Sequence, residues 1–183
     1  MNTVQPIRDL EKVQEIKGHL LRRSYRDYFL FVFGINSGLR ISDILPLKVK
    51  DVLDKDFVRV KEQKTGKTRR VVILPVLQRE IEKYCMELRL KPNQYLFKST
   101  RTNKPISRIQ AYRILNGVAK KVGLEEIGTH TLRKTFGYHF YQRTKDVAVV
   151  QQIFNHRHPS ETMRYIGLNQ DNIMKAYDSF GGL

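Results

Sequence analysis

Cysteine is almost absent from this chain: Cys85 stands alone among 183 residues, which excludes an internal disulfide and suits a reducing cytoplasm. Cys85 shares the spacing of Ile81, Tyr84 and Leu88, so it reads as a core residue rather than a nucleophile. No apolar run is long enough to cross a bilayer, and the first fifteen residues contain no apolar core of a signal peptide. Acidic residues are scarce as well. Eighteen Asp and Glu face 34 Lys and Arg, leaving a net charge of +16 and a pI near 10.1. Such a field attracts polyanions in a salt-dependent way, without separating DNA from RNA or from a ribosomal-type role. No repeat, low-complexity tract or Ser/Gly-rich linker divides residues 1–183, so a single domain is expected. The 40% hydrophobic and 28% charged composition is that of a folded protein.

Periodicity predicts a mainly α fold with one small antiparallel β-sheet. Helices are expected over about 9–22, 25–36, 75–90, 107–121, 131–143, 147–155, 161–165 and 171–179. The second of these is apolar enough to be central. Ser42 is expected to cap a short helix ending near Pro46. Residues 57–61 and 70–74 alternate and are β-branched, so they read as a hairpin around Gly66, and a further short strand is expected over 95–97.

The chemistry lies in four short segments: GLRISD (38–43), KTGK (64–67), HTLR (130–133) and NHRHPSETMRY (155–165). They bring Arg40, Lys64, His130, Arg133, His156 and Tyr165 into one list. A tyrosine attacking a phosphodiester must lose its proton, the leaving hydroxyl must gain one, and the non-bridging oxygens need fixed donors. Arginine suits the last task because its fork binds phosphate bidentately and keeps its charge. His130 and Arg133 stand three apart at a helix start, although an H-x-x-R pattern is common by chance. Arg40 is either a structural partner of Asp43 or a cation held by that carboxylate for chemistry. Lys64 and Lys67 compete for the role of proton donor at the hairpin tip. His156 and His158 form an H-x-H, but nothing nearby completes a zinc set, so no metal is expected. Tyr138 and Tyr141 read as core, whereas Ile173, Met174, Tyr177 and Phe180 form a packing stripe. Basic residues suited to DNA are Lys61, Lys67, Arg69 and Arg70 on the hairpin and the outward-facing Arg108 and Arg113.

With these segments in this order, the chain resembles the tyrosine recombinases, the phage-integrase and Xer-like family, from about Arg8 to Ile166. The resemblance implies the family's catalytic-domain fold and selects Lys64 over Lys67. It implies that Tyr165 attacks DNA to leave a 3′-phosphotyrosyl link and a free 5′ hydroxyl. Arg40, Arg133 and His156 would hold the phosphoryl oxygens, Lys64 would act as general acid, and His130 would assist proton transfer or positioning. It also implies no nucleotide or metal cofactor, double-stranded DNA as partner, and a homotetramer that associates weakly or not at all without DNA. The stripe after Tyr165 would dock on a neighbouring protomer. Asn155 stands where the family has glycine, Lys134 where it commonly has histidine, and Arg157 and His158 replace a small polar pair. The chain starts at the catalytic domain, so the N-terminal core-binding domain is expected to be absent and an accessory DNA-binding protein to assist. The expected setting is the cytoplasm of a bacterium, with a bacterial or phage-encoded gene.

Two other readings compete with that of a strand-transfer enzyme. A non-catalytic DNA-binding regulator would keep the basic face and not need the phenol. A basic RNA-binding protein would fit the charge but lacks an aromatic-rich platform.

Overall fold

Residues 25–37 are apolar on nearly every side, and they form the central helix of the protein. A computed structural model of the chain describes residues 4–61, 66, 68–125 and 127–181, the side chains of Gln170, Lys175 and Ala176 excepted. Helix α1 (Leu10–Arg23) starts at Asp9, whose side chain accepts from the Glu11 amide, and buries Val13, Ile16 and Leu20. Helix α2 (Tyr25–Ser37) is capped by Ser24 and buries Phe29, Leu30, Phe31, Val32 and Phe33.

A short α3 (Ile41–Ile44) and one 3-10 turn (Val49–Asp51) lead to the hairpin. Strands β1 (Phe57–Lys61) and β2 (Thr68–Val72) are antiparallel, with Phe57 opposite Val72 and Lys61 opposite Thr68. Strand β2 thus lies two residues earlier than its β-branched run suggested. The expected strand over 95–97 is not one: Tyr95 makes a single bridge to Lys48, and Lys98 another to Pro105. Residues 96 and 97 instead plug the core, with Leu96 and Phe97 fully buried.

Helix α4 (Pro75–Glu87) opens on its proline and buries Tyr84 and Cys85. Burial raises the Cys85 thiol pKa to about 11, as befits a core residue. Then follow α5 (Arg108–Lys121), α6 (Thr131–Thr144), α7 (Val147–Phe154), α8 (Pro159–Tyr165) and α9 (Leu168–Phe180).

Two apolar clusters result. The larger joins α1, α2, α4, α5 and the hairpin. The smaller gathers Val150, Phe154, Ile166 and Leu168, with Phe136 and the half-buried Tyr138 and Tyr141 against it. Helix α6 runs along the seam. A Cβ on Gly34 would meet Leu132 at 2.5 Å, and one on Gly137 would meet Phe154 at 2.6 Å. Glycine therefore permits contact on both flanks of α6, and the seam between the clusters is where the site lies.

Candidate active site

Gly38 makes the turn that carries Arg40. Its φ of 63° is left-handed, and a Cβ there would meet the Phe136 ring at 2.5 Å. The chain leaves α2 at this point, and Arg40, half-buried and extended, becomes the residue before α3. Ser42, expected as the cap, lies inside the helix, and no side chain caps it.

Among the described residues Arg40 and Asp43 form no ion pair. Arg40 stands outside the helix start, whereas Asp43 lies within α3 and is buried. One Asp43 oxygen lies 3.5 Å from the Ser42 hydroxyl and the other has no hydrogen-bond partner. Its charge also favours the cationic form of Arg133.

Arg133 is 1% exposed. Its guanidinium donates to the carbonyls of Gly38 (2.6 Å) and Phe154 (2.9 Å) and lies over the Phe154 ring, 4.1 Å from its centre. One carbonyl comes from each side of the seam. Burial pushes its pKa down to about 10; the Tyr165 and Asp43 charges oppose this, while Arg40 and Arg69 add to it. It remains a cation at neutral pH.

Tyr165 ends α8, and its hydroxyl lies 3.3 Å from Nδ1 of His130. The ring meets Phe154 and His156 edge to face, at 5.5 and 5.1 Å between centres. Lys134 Nζ stands 5.1 Å from the ring centre and donates to the Val4 carbonyl over 2.7 Å. Burial raises the phenol pKa, and Arg133 and Arg40 pull it back.

His130 precedes the first turn of α6 and keeps an exposed edge, whereas Arg133 points inward, so the H-x-x-R pair reaches one space from two depths. The covered part of the ring, then the charges of Lys134, Arg133, Arg108 and Arg40, lower the His130 pKa.

Asn155 ends α7 with φ 54°. Asparagine tolerates this left-handed conformation, so it suits a position where the resemblance led to the expectation of glycine. The Gln151 amide then donates to the carbonyls of His156 (3.2 Å) and Arg157 (3.1 Å), holding the loop. Nδ1 of His156 lies 2.9 Å from the hydroxyl of the buried Thr162. Burial lowers the His156 pKa; Glu161 opposes this, while Arg133 and Arg40 add to it.

Five of the six expected catalytic residues therefore converge on the seam. Lys64 and Lys67 lie outside the described residues. Lys61 and Arg70 are exposed on the hairpin, and Arg108 and Arg113 on α5. Arg69 is half-buried and donates to the Ile153 carbonyl over 2.5 Å, binding the hairpin to the end of α7. Among the described residues no cluster of His, Cys, Asp or Glu is arranged to hold a metal, and no helix is long and apolar enough to cross a membrane.

Thr162, Gln151 and the Lys134–Val4 contact were not among the expected site features. Thr162 was visible as the threonine of Thr162-Met163-Arg164-Tyr165, the T-x-x-Y segment that carries part of the family resemblance. Nothing in the sequence signalled the other two.

Residues 9–172 match the phage integrase family. Over all 183 residues, covering 100% of both chains, the protein is 64% identical to a probable integrase/recombinase, YoeC, of Bacillus subtilis (strain 168). Its fold matches a crystal structure of XerA recombinase with a TM-score of 0.76 at 23% identity, over 98% of this chain and 66% of that one. It also matches XerH site-specific recombinase bound to a palindromic difH substrate in a post-cleavage complex. There the TM-score is 0.73 at 20% identity, over 99% of this chain and 54% of the other. The family match across most of the chain, and a relative this similar over its whole length, place the protein: it belongs to the phage integrase family, the tyrosine recombinases.

Proposed function

We propose that this protein cuts and rejoins double-stranded DNA at specific sites, through a 3′-phosphotyrosyl intermediate on Tyr165. The observation that carries this reading is the 3.3 Å approach of the Tyr165 hydroxyl to His130 Nδ1, in a space where Arg40 and Arg133 act on the phenol and on both histidines. The phenolic oxygen forms a bond to phosphorus as the bond from phosphorus to the 5′ oxygen breaks. The phenol's proton passes to His130, and the leaving 5′ oxygen takes a proton from Lys64. Arg40, Arg133 and His156 hold the non-bridging oxygens, on which negative charge must be stabilised. In the second step a 5′ hydroxyl attacks the phosphotyrosine and the phenol leaves. The covalent link conserves the bond energy, so neither nucleotide nor metal is needed.

The net charge of +16 supports a polyanionic substrate, as DNA is. Lys61 and Arg70, exposed on the hairpin, with Arg108 and Arg113 on α5 and Lys67 by its sequence position, are assigned to its backbone, whereas Arg69, expected with them, is held on the Ile153 carbonyl. Four protomers would synapse two duplexes. The face of α9 supports such assembly, because Ile173, Met174, Tyr177 and Phe180 are 57–72% exposed instead of packing on their own domain.

The test is a pool of nicked duplexes with randomised sequence, incubated with the protein and run under denaturing conditions. A covalent protein–DNA band is expected, and it should vanish in Tyr165→Phe. If the wild-type protein retards DNA in native gels yet yields no adduct, the regulator reading replaces this one.

A further inference from the structure

Thr162 stands three residues before Tyr165 and has no exposed surface. Its Oγ1 lies 2.9 Å from His156 Nδ1, the single hydrogen bond its side chain makes among the described residues. A hydroxyl has one proton, which rotates to whatever acceptor is near, and two lone pairs. Sealed from water, the Thr162 proton finds that acceptor in the Nδ1 lone pair. Were Nδ1–H the donor instead, the threonine's own proton would be buried without an acceptor, which folded proteins avoid.

We infer that Thr162 is a positioning residue: its hydroxyl donates to His156 Nδ1 and holds the imidazole as the neutral Nε2–H tautomer. The Nε2–H makes no hydrogen bond among the described residues, so it is free to donate to a ligand. The inference rests on the role proposed above for His156, which needs a donor facing the phosphate. Two features support it. The Gln151 amide fixes the backbone on either side of the His156–Arg157 bond, leaving ring rotation and tautomer to be decided by the side chain's partner. Burial disfavours an imidazolium, with Arg133 and Arg40 adding to it and Glu161 opposing, so the ring is neutral and its tautomer is set by a hydrogen bond.

The consequence is specific. A neutral histidine in the other tautomer presents a lone pair, not a donor, and would repel a phosphate oxygen. Threonine therefore decides whether His156 attracts or repels the substrate.

The experiment is nitrogen-15 NMR of the labelled free protein, above the pH at which the ring titrates, with the His156 signals assigned by their loss in His156→Gln. Two-bond proton–nitrogen correlations show which ring nitrogen carries the proton. Wild-type protein and Thr162→Ser should show Nε2–H alone, and Thr162→Val a mixture of both tautomers. In the adduct assay Thr162→Val should slow attack about tenfold or more, with Thr162→Ser restoring it. An Nδ1–H ring in the wild-type protein, or an unchanged ring pattern in Thr162→Val, overturns the inference. The spectrum needs no DNA, so it reads correctly even if Tyr165 proves unable to attack.

Discussion

The guanidinium of Arg133 donates to the carbonyl of Gly38 over 2.6 Å, joining residues 95 positions apart in the chain. The bond satisfies a buried cation and at the same time fixes the turn from which Arg40 projects. Arg133→Lys should break both functions, because an ammonium lacks the fork that spans the Gly38 and Phe154 carbonyls. Denaturant titration should show a loss of about 2–4 kcal/mol, and the adduct assay should show no product.

Gly38→Ala tests the turn from the other side. The left-handed φ and the Phe136 ring at 2.5 Å both oppose a methyl group. Stability should fall by about 2 kcal/mol or more, and adduct formation should fall with it as Arg40 is displaced. Gly66→Ala is the control. Its φ of 70° is likewise left-handed, but a Cβ there meets nothing within 4 Å among the described residues, so it should cost only about 1 kcal/mol in the same titration.

Both site histidines have pKa values below the ordinary 6.5. The unfolded chain therefore binds more protons than the native protein once the pH drops below that value. Stability should be level above pH 6.5, decline as the pH falls from there to the two depressed native values, and flatten below them. The double variant His130→Gln with His156→Gln should lose most of this slope in melts run across the range. Adduct formation should fall in the same interval, since a protonated His130 cannot accept the phenol's proton.

Tyr177 and Phe180 are 72% and 62% exposed on α9. Replacing both by aspartate should leave stability within about 0.5 kcal/mol of the wild type. Assembly on DNA should be lost, as sedimentation with and without duplex would show. Unchanged assembly would move the protomer contact elsewhere.

Residues 4–8 strap the start of α9 to α6. Arg8 donates to Asp171 at 2.8 Å and to the Gly167 carbonyl at 3.3 Å, while the Ile7 amide donates to the Thr135 hydroxyl at 2.9 Å. Arg8→Ala should speed hydrogen exchange at the beginning of α9, with a global stability change below about 1 kcal/mol, because the Arg8–Asp171 pair is partly exposed.

Local periodicity and chemistry were readable in the sequence. The spacing of Val13, Ile16 and Leu20, the apolar run ending at Gly38 and the alternation of residues 57–61 foretold α1, α2 and β1 almost to their ends. These patterns depend on neighbours within a turn or a strand, and sequence records neighbours directly. The same holds for residue type: a phenol, two guanidiniums and two imidazoles announce their chemistry wherever they sit. Residues 95–97 misled because their β-like composition serves burial instead of strand pairing.

Long-range partners were another matter. That Arg133 is buried between Gly38 and Phe154, that Asp43 forms no ion pair with Arg40, that Arg69 ties the hairpin to Ile153, and that Thr162 faces His156 all arise at the seam where two apolar clusters close on α6. Which polar groups are sealed together there depends on how those clusters pack, a property of the whole chain that no local spacing encodes.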